Sequence, residues 1–266
     1  MTAPAPAPAA APPPAHAPDR AAPTARRVRA QARFETLAVL RNGEQLLVTL
    51  VIPVVALIAL GRSSFVDVGT GGAARIDVVT PGVLGLAVMA GSMTSQAIAT
   101  AFDRRNGVLR LLATTPLGRG GLLAGKALAV LVVAALQVVV VGAVALAVGW
   151  RPAAAGLAPA ALALLLGVAA FTALALLLAG TLRAEAVLAV ANLLLVVLAV
   201  VGGVVLPVAD LPGWWASVAQ WLPPGALGEA LRGALVDGAF PAAHLGALAA
   251  WTLVLGAAVR RWFRWS

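Results

Sequence analysis

The sequence predicts an all-α integral membrane protein with six spanning helices, and three observations carry that expectation. Of its 266 residues 61% are hydrophobic and 11% charged. A soluble domain has about 45–50% and about 25%, so this chain has too little polar surface to coat a globule. The apolar residues gather in six stretches, roughly 45–61, 79–101, 122–149, 157–182, 185–207 and 240–260, each near the ~20 residues a helix needs to cross a bilayer. The basic residues lie on one side of the resulting topology.

That asymmetry can be counted. With the N-terminus inside, the inner segments hold Arg20, Arg26, Arg27, Arg29, Arg33, Arg41, Arg104, Arg105, Arg110, Arg119, Lys126, Arg183, Arg260, Arg261 and Arg264. The outer segments hold only Arg62, Arg75, Arg151 and Arg232, while the ten acidic residues split evenly. A bias confined to Arg and Lys is what the positive-inside rule describes. It places both termini in the cytoplasm and accounts for the net charge of +9 without a nucleic-acid partner.

Residues 1–25 are Pro- and Ala-rich with no large apolar residue after Met1. They lack a signal-peptide core and read as a disordered tail; residues 26–266 form the transmembrane unit. Residues 26–44 mix arginines with Val28, Phe34, Leu37 and Leu40, which suits a helix lying on the membrane surface or a solvated cytoplasmic one. The first span contains Pro53, which a membrane helix tolerates. Between the second and third spans, residues 102–128 read "FDRRNGVLRLLATTPLGRGGLLAGKAL". Asp103, Arg104 and Arg105 open a polar turn. Leu109 and Leu112 then share one face of a short helix by helical spacing, with Val108 as a further candidate, and Thr115-Pro116 stops it.

The end of this loop, "GGLLAGKAL", comes close to a phosphate-cradling loop through Gly120, Gly125 and Lys126. Such a loop needs a strand before it and Ser or Thr after the lysine to hold magnesium. Position 127 is Ala, and the third span follows. Nucleotide binding is not expected; the glycines loosen the start of the third span, with Lys126 at the lipid headgroup level.

Between the fifth and sixth spans, Trp214, Trp215 and Trp221 form an interfacial aromatic cluster in a segment whose apolar pieces are too short to span. Glu229 and Arg232 stand three apart there, the spacing of a surface ion pair worth little. Within the spans the polar residues are Ser92, Thr94, Ser95, Gln96, Gln137, Thr172 and Asn192. Helix–helix hydrogen bonding is their default role, and lining a substrate path is the alternative. No ionisable residue lies near a span centre, which argues against an ion-coupled transporter. With no cysteine, only His16 and His244, and no G-x-S-x-G, neither a metal cluster nor a catalytic triad can be assembled. A membrane scaffold without transport activity remains the alternative class.

The 102–128 loop resembles the cytoplasmic coupling loop of ABC-2 type transporter permeases, through Asp103, Arg104, Gly107, Leu109, Leu112, Thr115, Pro116, Gly125 and Lys126. It departs at Arg105, Val108 and Arg110, where that family often has Glu, Thr and Glu. The N-terminal helix is similar to the family's elbow helix. The segment with Pro212, Pro223, Pro224, Glu229 and Arg232 is similar to its re-entrant extracellular helices, and the whole is closest in feel to permeases of bacterial drug-resistance exporters. The resemblance implies an exporter of an amphipathic compound, lipid or glycan in the bacterial cell membrane. It also implies two permease subunits, two cytoplasmic ATPase subunits in contact with residues 103–116, membrane lipid around them, and no cofactor or nucleic acid on this chain.

Overall fold

A computed structural model of the chain describes residues 22–62 and 73–264; almost all of the expected tail lies outside them. The described residues are helical, with no strand among them, and six helices are long and apolar enough to cross a membrane. These spans are Gly43–Arg62, Arg75–Arg105, Gly118–Ala147, Ala154–Thr181, Ala184–Val201 and Ala242–Trp262. The second is the most deeply buried, and the core forms where it meets the third and fourth around Val83, Met89, Val141 and Phe171. The sixth span lies along the fourth.

The first two spans each contain one widened turn of π-helix, at Leu47–Val51 and Ala90–Ser95. One buried side chain of the third span joins both regions. Gln137 Nε2 donates to the carbonyl of Thr49 at 3.0 Å and to that of Ala87 at 3.1 Å. In a regular helix the Thr49 carbonyl would accept from residue 53, which is Pro and has no N–H. Gln137 supplies the donor that Pro53 withholds. The other intramembrane polar groups divide. Thr94 reaches across to the Ala191 carbonyl at 3.5 Å, whereas Ser92 and Asn192 bond carbonyls of their own helices. The expectation of helix–helix bonding therefore holds for Gln137 and Thr94 and fails for Ser92 and Asn192.

The fifth span is shorter than expected. Its helix stops at Val201 rather than continuing to residue 207. Gly203 adopts φ +78°, a left-handed conformation that favours glycine, and the chain runs on without helical bonds to a single 3₁₀ turn at Val208–Asp210. Two short helices follow, Gly213–Ala219 and Pro223–Leu235. The latter begins with prolines at its first positions, where no N–H is needed, and packs against the second, fourth and sixth spans.

The contacts define two ends of the bundle. At one end, Gly180 at the close of the fourth span meets Phe263 after the sixth, and the helix Thr24–Leu40 packs along the start of the third. At the other, the Ala153 N–H donates to the Leu235 carbonyl at 2.9 Å and that of Arg151 to the Asp77 carboxylate at 2.8 Å. Both termini of the described chain therefore lie at the same end.

Candidate functional site

At the end shared by the termini, the second span runs on through Asp103, Arg104 and Arg105. These residues belong to the helix of that span, a correction to the expected polar turn. Gly107, at φ +76°, ends the run. The short helix is Val108–Ala113. Thr115 Oγ1 donates to the Leu112 carbonyl at 2.6 Å, and exposed Pro116 follows.

The two faces of this helix differ from the sequence reading. Leu109 is 1% exposed, turned into the protein's own core, and Leu112 is half-buried. Leu111 is 69% exposed and Val108 37%. Spacing grouped Leu109 with Leu112 correctly but could not tell which body that face meets. It meets this chain, and the outward apolar residues are Leu111 and Val108.

Lys126 anchors the region. It is 1% exposed, and its Nζ lies 2.8 Å from both Glu35 Oε1 and Asp103 Oδ2. Its side chain is enclosed by protein rather than open to lipid headgroups. A buried ammonium left unpaired costs several kcal/mol, and two of its three donors are met here by carboxylates from two other helices. The triad ties together the N-terminal helix, the end of the second span and the third span. The nearby glycines serve the same seam. A side chain at Gly125 would come within 2.7 Å of Gln31 Cγ, and one at Gly121 within 2.7 Å of Leu117 Cδ1. Gly125 thus lets the N-terminal helix seat closely against the third span. The resemblance to a phosphate loop arises from a helix-packing glycine and an ion-paired lysine.

Arg104 donates to the Leu182 carbonyl and Arg105 pairs with Glu185, so both hold the turn between the fourth and fifth spans. The Arg105–Glu185 pair is exposed and worth little. Glu35 was missed by the sequence reading. The signal lay in the chain's only lysine, placed within an apolar run where its charge demands a partner.

At the opposite end the largest correction is Arg232. It is not a surface ion pair but 7% exposed. Its guanidinium donates to the carbonyls of Gly203 at 3.1 Å, Val204 at 2.9 Å and Val205 at 3.0 Å, and to Glu229 Oε1 at 2.9 Å. Glu229 also accepts from the Val208 N–H at 3.0 Å. The non-helical stretch after Val201 has carbonyls without helical donors, and arginine, with five N–H groups in a planar fork, satisfies three of them.

The aromatic cluster separates into two contacts. Trp214 and Trp215 meet edge to face at 5.7 Å, and Trp215 Nε1 caps the Val201 carbonyl at 2.7 Å. Trp221 stacks on His244 at 5.7 Å. Pro212 precedes the Gly213–Ala219 helix; Pro223 and Pro224 open the next, with Pro224 buried.

Six helices among the described residues that are long and apolar enough to cross a membrane, with a short helix between the second and third, define a multi-pass membrane protein. The sequence model of the ABC-2 type transporter family matches residues 26–236, most of the chain, and this protein belongs to that family. It is the permease component of an ABC transporter, whose ATPase activity resides in a separate subunit. A search of curated proteins returned no match.

Proposed function

We propose that this chain is the membrane-spanning subunit of an ATP-driven exporter in the bacterial plasma membrane, with both termini cytoplasmic and the Val108–Ala113 helix as the contact for the ATPase. The supporting observation is the helix itself, whose inner residue Leu109 is buried while Leu111 and Val108 are exposed. A helix presenting apolar anchors fits a groove on a partner. Because the Lys126 triad ties the Asp103 end of this loop to two other helices, movement of the short helix is passed to the spans as nearly rigid-body motion. Two permease subunits with two ATPases would then open a path for an amphipathic compound, lipid or glycan. Arg104 and Arg105 contribute by fixing the loop rather than by reaching the partner, and the Pro212–Arg232 segment closes the outer end.

Leu111→Asp tests the reading. A fully buried leucine side chain contributes about 1.5–3 kcal/mol, and a buried carboxylate adds a further cost. Co-purification with the ATPase partner should fall at least about tenfold while the chain still inserts and runs as a folded species. Leu109→Asp should instead reduce the folded yield itself. Normal assembly and export by the Leu111→Asp variant would remove this helix from the coupling role.

A further inference from the structure

A cleft of about 230 Å³ opens between the N-terminal helix and the first three spans, in the half of the bundle nearest the Val108–Ala113 helix. Its wall on the third span runs from Ala129 to Gln137, about 12 Å at 1.5 Å per residue. The volume is therefore long and narrow, suited to a flat or linear molecule.

The charge of the cleft is one-sided, while Asn42, Gln45, Thr49, Ser92, Ser95 and Gln96 line it with uncharged polar groups. Among the described residues Glu35 is the single charged one that lines it, and no cation does. Lys126 and Gln31 both bond Glu35 Oε1, at 2.8 and 2.9 Å, which leaves Oε2 free to accept among the described residues. Nearby, one lysine serves two carboxylates, so the triad carries one net negative charge. At the other end Gln137 is 1% exposed. Its Nε2 is used twice, but its Oε1 is buried without a partner. Burying such an acceptor unsatisfied is costly, and Gln137 is one of the residues that line the cleft. Between the two acceptors the wall given by the third span is apolar, through Val130 and Val133.

We propose that this cleft is a binding site, inside one subunit, for a cationic amphiphile. The molecule places a positive charge beside Glu35, an apolar body against Val130 and Val133, and an N–H or O–H donor toward Gln137 Oε1. An anion is disfavoured by the same charge balance. The site needs only this chain, so it stands independently of the ATPase contact proposed above.

The test uses the purified full chain in neutral detergent, with ethidium as a flat cation bearing N–H donors and 1-anilinonaphthalene-8-sulfonate as an anionic amphiphile. Fluorescence titration should show saturable ethidium binding and none for the sulfonate. Glu35→Gln keeps the side-chain shape and leaves Asp103 to pair Lys126; it should weaken ethidium at least about tenfold, the usual scale for a lost charge-assisted contact. Val133→Phe fills the cleft without touching a polar group and should weaken it by a similar factor, with gel filtration confirming that both variants are folded. Absence of saturable ethidium binding overturns the proposal and leaves a hydrated cleft. Equal binding of the sulfonate, or an unchanged Kd in either folded variant, overturns it as well. None of these results bears on whether Leu111 meets the ATPase.

Discussion

Arg232 offers the sharpest test of how the outer end is held together. Arg232→Met keeps much of the side chain's length and apolar stem but removes every donor. Three backbone carbonyls, those of Gly203, Val204 and Val205, lose their side-chain partner, and the Glu229 carboxylate loses its counter-ion. Breaking a buried pair from one side costs about 3–5 kcal/mol, because the remaining charge stays uncompensated. At about 2–4 °C per kcal/mol for a chain of this size class, the midpoint of thermal unfolding should fall by about 6–20 °C. Adding Glu229→Gln supplies the control. The amide can still accept from the Val208 N–H, and the stranded charge is gone, so the double variant should melt above Arg232→Met. The assay is loss of the monodisperse gel-filtration peak after heating in detergent. A midpoint for Arg232→Met within about 2 °C of the parent, or a double variant no better than the single, would refute the clamp.

Two further predictions concern the inner end and the topology. Gly125→Leu places side-chain carbon where Gln31 now lies 2.7 Å from an added Cβ; overpacking of this kind costs about 1–3 kcal/mol, so trypsin should cut at Arg26–Arg33 markedly faster while the spans stay intact, and unchanged cleavage would count against the seat. A reporter fused after Ser266 should be active only in the cytoplasm and one fused after Arg151 only outside, as the basic-residue bias requires; the reverse at either place would overturn the orientation.

The membrane class, the six spans and the family resemblance were legible because each rests on local chemistry. Apolar length, the sidedness of arginines and the order Asp103, Gly107, Thr115-Pro116, Lys126 can be read along the chain without knowing what any residue touches. The end of the short helix was legible where a backbone rule fixes it, before Thr115-Pro116. The early stop of the fifth span was not, because Gly202 and Gly203 lie in a continuous apolar run and are tolerated within membrane helices.

What the tertiary structure alone decided is which polar groups are buried and against what. Glu229 and Arg232 at a spacing of three look the same in sequence whether water or three bare carbonyls surround them; their burial depends on the chain break that the Pro223–Leu235 helix covers. Lys126 was visible as an isolated charge, but its partners come from residues 91 and 23 positions away, and no local pattern links them. Which face of the Val108–Ala113 helix turns outward was not legible for the same reason. A periodic pattern gives the angle between side chains on a helix, while the helix's rotation about its axis is set by the core into which Leu109 fits.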